Sequence, residues 1–136
     1  MSASENKIAI SSAFESLSQG DGRPFVDLMS NDFTWIFKGS TNWRGSYSGK
    51  TAVREKLLAP LFANFSGTYK NKAHRIIAED DVIVVECEGN VATLDGERYD
   101  NKYCYVIRMI DGKMVELTEY MDTALADRVL APPQHG

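Results

Sequence analysis

Residues 99–121, YDNKYCYVIRMIDGKMVELTEYM, give the clearest indication of the fold. A central Asp-Gly-Lys turn separates two strand-like runs, residues 99–110 and 114–121, which are rich in β-branched and aromatic side chains. Two more such runs, residues 68–79 and 82–93, precede them, and the breaks between runs are acidic or contain glycine. The second half of the chain is therefore predicted to form a four-stranded antiparallel meander.

The first half of the chain is predicted to contain three helices. Residues 5–19 carry apolar side chains at helical spacing and end at Gly20, which suits a left-handed helix stop. A short helix follows over residues 23–29. Residues 52–64 repeat the helical pattern, although Pro60 must kink this third helix or end it.

A short strand and a loop are predicted between the second and third helices. The polar residues 30–32 end the second helix, and residues 33–37 form a strand whose aromatic side chains share one face. Residues 38–50 are rich in Gly, Ser, Thr and Asn, which predicts a loop. The aromatic residues of these segments are Phe33, Trp35, Phe37, Trp43 and Tyr47.

The length of 136 residues suits one domain. We predict a single domain over residues 1–130, closed by a short helix over residues 122–130 that Asp122 caps, and a flexible tail over residues 131–136. Helices followed by a meander predict an α+β fold in which helices cover one face of the sheet. Long strands twist, so the sheet is expected to curl into a cup.

Composition disfavours several partners and compartments. The net charge of −4 offers no basic surface for nucleic acid. No run approaches about 18 apolar residues, and the polar start lacks the apolar centre of a secretion signal, so a cytoplasmic protein without membrane contact is predicted. Cys87 and Cys104 lie in predicted strands and are expected to be free, buried thiols. The two histidines, His74 and His135, are too few for a zinc site, so no metal is expected.

The chain resembles the nuclear-transport-factor-2-like superfamily, in particular its SnoaL-like, ketosteroid-isomerase-like branch. Short motifs carry the resemblance, and they follow the family's order over nearly the whole chain. They are QGD at residues 19–21, NDFTW at 31–35, WRGSYSGK at 43–50, YDNKY at 99–103, DGKMVE at 111–116 and EYMDT at 119–123. Each motif is weak alone, and the ordered set is specific for the fold.

The resemblance implies a cone-shaped α+β barrel with a strongly curved, mostly antiparallel sheet wrapped around three N-terminal helices. It also implies a pocket between helices and sheet and a homodimer formed through the outer face of the sheet. Cys104 and Val106 on that outer face fit such an interface. The superfamily contains isomerases, cyclases, epoxide hydrolases, dehydratases and proteins that only bind ligands, so the reaction must be argued from the site.

Strand alternation combined with the resemblance gives the candidate site. The predicted catalytic residues are Glu119, Tyr103 and Tyr105, and the predicted ligand-binding residues are Trp35, Phe37, Trp43, His74, Asn101, Leu117 and Met121. Such an aromatic cup with a few polar groups is typical of a small-molecule pocket.

Glu119 is the strongest candidate, and two interpretations of it stay open. On an apolar face its carboxyl would lose hydration, its pKa would rise, and it could exchange protons near neutral pH. Alternatively, hydrogen bonds from Asn101 or Tyr103 would hold it in a structural network. Tyr103 and Tyr105 could likewise polarise a substrate carbonyl or simply bond to backbone groups.

Departures from the family argue against its best-known reactions. Ketosteroid isomerases use an aspartate base with a tyrosine and a protonated aspartic acid as donors. The matching positions here are Phe37, Ala13 and Tyr105, and the Arg-x-Asp pattern of limonene-type epoxide hydrolases is replaced by Tyr103-Cys104-Tyr105. We therefore predict an enzyme of the isomerase, cyclase or hydratase type that acts on a small apolar molecule without a cofactor. The alternative is a binding or dimerisation module of the same fold.

Overall fold

The computed structural model describes residues 2–133, which form helices packed on one curved sheet. The helical segments are α1 (Ala3–Ser18), α2 (Arg23–Asp27), α3 (Lys50–Ala52), a π-helical segment (Val53–Leu58), α4 (Ala59–Phe62) and α5 (Thr123–Val129). The strands are β1 (Met29–Phe37), β2 (Gly45–Ser48), β3 (Phe65–Glu79), β4 (Val82–Thr93), β5 (Lys102–Ile110) and β6 (Lys113–Met121). No helix of the described region is long and apolar enough to cross a membrane.

The sheet confirms the predicted meander. Its strand order is β2-β1-β6-β5-β4-β3, and all neighbours are antiparallel except β1 and β6. Asp111 and Gly112 form the two-residue connection between β5 and β6, both with positive φ, as a twist-matched hairpin turn requires. The sheet curves without closing, because β2 and β3 remain edge strands.

The first helix begins and ends at local sequence signals. Ser2 and Glu5 exchange hydrogen bonds between their side chains and backbone N–H groups, which caps α1. Gly20 follows the helix with φ of +89°, and a Cβ at this position would lie 2.5 Å from the Cγ2 atom of Thr68. The predicted left-handed stop is confirmed, and only glycine fits it.

Two elements differ from the sequence prediction. Residues 30–32 do not end the second helix, which already stops at Asp27; they belong to β1, where the pairing with β6 is interrupted between Met29 and Thr34. The predicted loop contains β2, which pairs with β1 from Thr34–Ser48 to Phe37–Gly45. Both errors have one cause, because a short polar strand becomes recognisable only when its pairing partner is known.

The third helix runs continuously from Lys50 to Phe62, so Pro60 does not end it. A π-helical segment precedes Pro60, and the Ala59 N–H donates to the carbonyl of Arg54, five residues earlier. Wider turns of this kind accommodate a residue that has no N–H to donate.

The C-terminal end of the domain agrees with prediction as far as it is described. The Asp122 Oδ1 atom accepts from the Leu125 N–H at 3.2 Å, which confirms its capping role. The Ala131 N–H donates to the Oδ1 atom of Asn64 at 2.9 Å. Residues 134–136 of the predicted flexible tail, including His135, lie outside the described residues.

Burial alternates along the meander as the sequence predicts. Tyr103, Tyr105 and Ile107 are buried, whereas Lys102 and Arg108 on the other face are exposed. The buried faces of the strands meet α1 and the third helix, and the core lies between them. The two cysteines are free thiols, Cys87 on the buried face and Cys104, half-buried, on the outer face.

Candidate functional site

A cavity of about 410 Å³ lies between the concave face of the sheet and the helices. Side chains from α1, α2, β1, the third helix, β3, β5 and β6 line it, and most of them are aromatic or aliphatic. The size and lining of this cavity are those of a site for a small organic molecule.

Most of the predicted site residues line this cavity together. They are Trp35, Phe37, Trp43, Tyr103, Tyr105, Glu119 and Met121. Trp35 stacks on Phe37 with ring centroids 6.0 Å apart and meets Tyr105 edge-on at 5.9 Å. The aromatic cup inferred from strand alternation is therefore present.

Three predicted ligand-binding residues lie outside the cavity lining, and His74 is the clearest correction. The β3 register shifts between Ala73 and Arg75, which turns the His74 ring to the exposed side. There its Nε2 atom lies 3.4 Å from the Oε2 atom of Glu88. Because the sequence does not reveal a β-bulge, the side of the sheet on which His74 lies could not be inferred from it.

Asn101 and Leu117 lie on the inner face of the sheet, as predicted. Both are fully buried, however, and neither lines the cavity. The Asn101 Nδ2 atom donates to the Tyr99 hydroxyl at 2.9 Å and to the Asp122 carbonyl at 3.2 Å. Its Oδ1 atom accepts from the N–H groups of Lys102 and Asp122. Asn101 therefore joins the end of β6 to the start of β5, and Leu117 is core.

Glu119 lies in the cavity wall with only 3% of its surface exposed. Phe37 on β1 and Tyr105 on β5 are its direct neighbours across the sheet. The Trp35 Nε1–H donates to Oε1 at 3.1 Å, and Oε2 has no hydrogen-bond partner among residues 2–133. Neither Asn101 nor Tyr103 holds the carboxylate, so the predicted structural network does not form around it.

Burial decides the protonation of Glu119. Loss of hydration raises the pKa of this carboxyl from 4.5 to about 8, and the hydrogen bond from Trp35 opposes the shift only in part. Near neutral pH the carboxyl can therefore both take up and release a proton.

A chain of hydrogen bonds on β3 and β5 forms a second polar feature of the cavity. The Asn71 Nδ2 atom donates to the Tyr69 hydroxyl at 3.2 Å, and that hydroxyl donates to the Tyr103 hydroxyl at 3.0 Å. Burial raises the pKa of Tyr69 and Tyr103 above the ordinary value of a phenol, so both remain donors. Asn71 is 2% exposed, and its Oδ1 atom has no partner among the described residues.

Sequence reasoning missed Tyr69 and Asn71 as site residues. They alternate on one face of β3, but register shifts between Ser66 and Lys70 and again near His74 hide which face is concave. The position of Tyr69 and Asn71 on the concave face follows only from the strand register, in which Asn71 lies opposite Gly89 on β4.

Charged residues surround the opening of the cavity. Lys50 and Arg54 contribute from the third helix, and Arg23 and Asp27 from α2. The described residues contain no group of three or more histidine, cysteine, aspartate or glutamate side chains placed to hold a metal ion.

Comparisons with known proteins identify the family. The SnoaL-like domain profile matches residues 10–117. A comparison with curated protein sequences finds no match.

Solved structures share the fold at low sequence identity. Bal32a from a soil-derived mobile gene cassette is 18% identical, with 95% of this chain and 98% of that chain covered and a TM-score of 0.80. A SnoaL-like polyketide cyclase, so described, from Jannaschia sp. CCS1 is 17% identical, with 97% and 95% covered and a TM-score of 0.76. TerC, co-crystallised with polyporic acid, is 21% identical, with 91% and 96% covered and a TM-score of 0.76.

Other similar structures are described as NTF2-like proteins. The profile match spans most of the chain, and the structural alignments cover nearly the full length of these structures. The chain therefore belongs to the SnoaL-like domain family, and it shares its fold with structures described as NTF2-like.

Proposed function

We propose that this protein is an enzyme that moves a proton within a small, largely apolar organic molecule bound in the cavity, without a cofactor. The observation that carries the proposal is Glu119, a carboxyl in an aromatic wall with one oxygen held by Trp35 and the other without a protein partner. An unpartnered carboxylate oxygen beside open volume has room to reach a substrate hydrogen.

Glu119 would act first as a base. Its Oε2 atom takes a proton from a carbon next to a carbonyl, the C–H bond breaks, and the electron pair moves onto the carbonyl oxygen to give an enolate. In a substrate with a C=C bond next to that carbon, the negative charge extends over this bond, and return of the proton to its far carbon moves the double bond and gives an isomer. In a substrate with a second carbonyl, attack by the enolate carbon closes a ring, and Glu119 protonates the new alkoxide. Both outcomes balance without an oxidant or reductant.

Tyr103 would stabilise the negative charge that forms on the carbonyl oxygen. Its hydroxyl accepts from Tyr69, which in turn accepts from Asn71, and successive hydrogen bonds polarise one another. A phenol that receives a hydrogen bond is a stronger donor through its own hydrogen. Donors placed where charge develops are a major source of rate enhancement. Tyr105, which lines the same wall beside Glu119, is the alternative donor.

The family relationship supports this chemistry at the level of reaction class. One similar structure is described as a SnoaL-like polyketide cyclase, and ring closure is one of the two outcomes of the proposed enolate step. Another similar structure, TerC, was co-crystallised with polyporic acid.

A second candidate function is binding of an apolar ligand without catalysis. Trp35 already occupies one carboxylate oxygen, and no tyrosine hydroxyl among residues 2–133 bonds to Glu119. A buried, neutral glutamic acid could then serve only to orient a ligand.

Hydrogen exchange on a simple ketone distinguishes the two functions. We expect the protein in D₂O to accelerate exchange of the C1 hydrogens of 2-tetralone, an enolisable aromatic ketone, as followed by proton NMR. Since the ionised carboxyl is the base, the rate should rise with pH and level off above a midpoint of about 8.

The exchange rate with the Glu119→Gln variant should be at least about 100-fold lower than with the wild-type protein, because a general base typically contributes a factor of this size. Glu79→Gln, which changes an exposed carboxylate at the end of β3, should retain it. Binding of the ketone without any acceleration of exchange would contradict the enzymatic proposal and favour the binding module.

We further propose that the protein is a homodimer formed through the outer face of the sheet. Tyr120 and Ile110 on that face are about half exposed, and Val106 lies between them. Light scattering at micromolar concentration should give about twice the 15.2 kDa chain mass. The Tyr120→Glu variant should have the mass of a monomer. The control variant Leu94→Glu changes an exposed residue of a turn and should keep the mass of a dimer. A wild-type protein with the mass of a monomer would contradict the proposal.

The two free thiols on neighbouring strands also fit a reducing compartment, so we propose a cytoplasmic location. The pairing of Cys87 with Tyr103 and of Glu86 with Cys104 places the thiols on opposite faces of the sheet. We also propose that residues 1–130 form a single domain.

A further inference from the structure

Two cations of the third helix line the cavity opening and have no ion-pair partner in the described part of the chain. Lys50 and Arg54 are four residues apart on the third helix, and both contribute to the cavity wall. Lys50 is half-buried and Arg54 is exposed. Within residues 2–133 neither forms an ion pair or a side-chain hydrogen bond.

The other charges at the opening do not compensate this pair. Asp27 lines the cavity from α2, and Arg23 next to it takes part in two interactions. Arg23 is bonded to Asp21 at 2.9 and 3.0 Å, and Asp27 further raises its pKa. The two carboxylates on the α2 side exceed Arg23 by one negative charge, whereas the side formed by the third helix carries two positive charges, so the opening keeps an excess of positive charge.

This local excess of positive charge stands out in a chain whose net charge is −4. A positive group at the rim of an apolar cavity attracts an anionic group that remains near water while the rest of the ligand is buried. The apolar wall around Glu119 would remove the hydration of an anionic ligand group placed in the cavity interior, which disfavours that position. An anionic ligand would therefore place its charge at Lys50 and Arg54.

We propose that the substrate is an aromatic or otherwise apolar molecule carrying one anionic group, such as a carboxylate, which Lys50 and Arg54 bind at the cavity opening. The inference rests on the proposed function in so far as a ligand occupies the cavity, and it does not depend on catalysis. Arg54 can hold a carboxylate with two parallel hydrogen bonds, and Lys50 adds a point charge.

Two fluorescent probes that differ only by a negative group test the proposal. They are 1-anilinonaphthalene-8-sulfonate and its neutral counterpart N-phenyl-1-naphthylamine. Each is titrated into wild-type protein and into the Lys50→Gln, Arg54→Gln double variant. Both tryptophans of the chain, Trp35 and Trp43, line the cavity, so their quenching reports occupation of this site.

We expect the double variant to bind the sulfonate about 10-fold more weakly than the wild-type protein does, which corresponds to the loss of two partly exposed ion pairs. The affinity of the double variant for the neutral probe should stay within about twofold of the wild-type affinity. Raised salt should weaken only the sulfonate. The control Lys56→Gln removes an exposed lysine of the same helix that does not line the cavity, and it should change neither affinity.

Equal weakening of both probes, or an unchanged affinity for the sulfonate, would overturn the proposed charge recognition while leaving the cavity as a binding site. Failure of both probes to bind wild-type protein would overturn the proposed function and this inference together. Charge-selective binding without exchange of 2-tetralone would support this inference and refute only catalysis.

Discussion

The Glu119→Gln variant should be more stable than the wild-type protein at pH 8, by several kcal/mol. Burial raises the pKa of the Glu119 carboxyl to about 8 in the folded protein, whereas its value is 4.5 when hydrated. Ionising a carboxyl in an aromatic wall therefore opposes folding. Glutamine keeps the acceptor for the Trp35 Nε1–H and carries no charge, so it removes this opposition.

The direction of the pH dependence follows from proton binding. Between pH 4.5 and about 8 the folded protein holds a proton on Glu119 that the unfolded chain has lost. The Glu119 contribution to stability therefore decreases as pH rises, by about 1.4 kcal/mol for each pH unit, and becomes constant above the folded pKa. The total difference is on the order of 4 kcal/mol.

Urea unfolding of both proteins at several values of pH measures this difference directly. The stability gap between Glu119→Gln and wild type should be small near pH 4.5, widen up to pH 8 and then stay constant. Glu79→Gln, at an exposed position, should follow wild type throughout. A Glu119→Gln variant that is equally or less stable at pH 8 would mean that the carboxyl is hydrated or paired in the folded protein.

The meander could be predicted from the sequence because its information is local. On β4 the side chains alternate between Ile83, Val85 and Cys87 on the buried face and more exposed residues on the other. Such a period-two pattern identifies both the strand and its buried face without knowledge of the partner strand. Hairpin turns then fix the order of the strands.

Elements that depend on distant partners could not be predicted in this way. The strand β2 has one buried side chain, Tyr47, in four residues, and its existence depends on pairing with β1. The interrupted start of β1 depends equally on β6. For both, polar composition indicated a break, while backbone hydrogen bonds to a neighbouring strand maintain the extended conformation.

The candidate site was only partly predictable, for two physical reasons. Alternation reveals the face of a side chain and not its depth, so Asn101 and Leu117 were correctly placed on the inner face but lie beneath the cavity surface. Bulges reverse the facing of residues that follow them, which concealed Tyr69 and Asn71 and misplaced His74.

The charged opening was missed for a further reason. In the sequence Lys50 ends the predicted loop and Arg54 belongs to the predicted third helix, and charged side chains at such positions usually point into water. Their role depends on where the third helix meets the cavity, which is a property of the packed fold.

Glu119 itself should titrate with a midpoint near pH 8, more than three pH units above a hydrated glutamate. The shift is large because the carboxyl is almost fully buried and receives one hydrogen bond, from Trp35, among the described residues. That hydrogen bond provides a second reporter of the same event, because the Trp35 indole N–H donates to the titrating group.

The most direct test is an NMR titration of protein labelled with ¹³C at the glutamate side-chain carboxyls and ¹⁵N at the tryptophan indoles, with Glu119→Gln used for assignment. The carboxyl signal that disappears in the variant should have its midpoint near pH 8, and the Trp35 indole signal should shift at the same pH while that of Trp43 does so far less. A Glu119 carboxyl that titrates near pH 4.5, with a Trp35 signal unchanged around pH 8, would contradict a dehydrated proton-transfer group in this cavity.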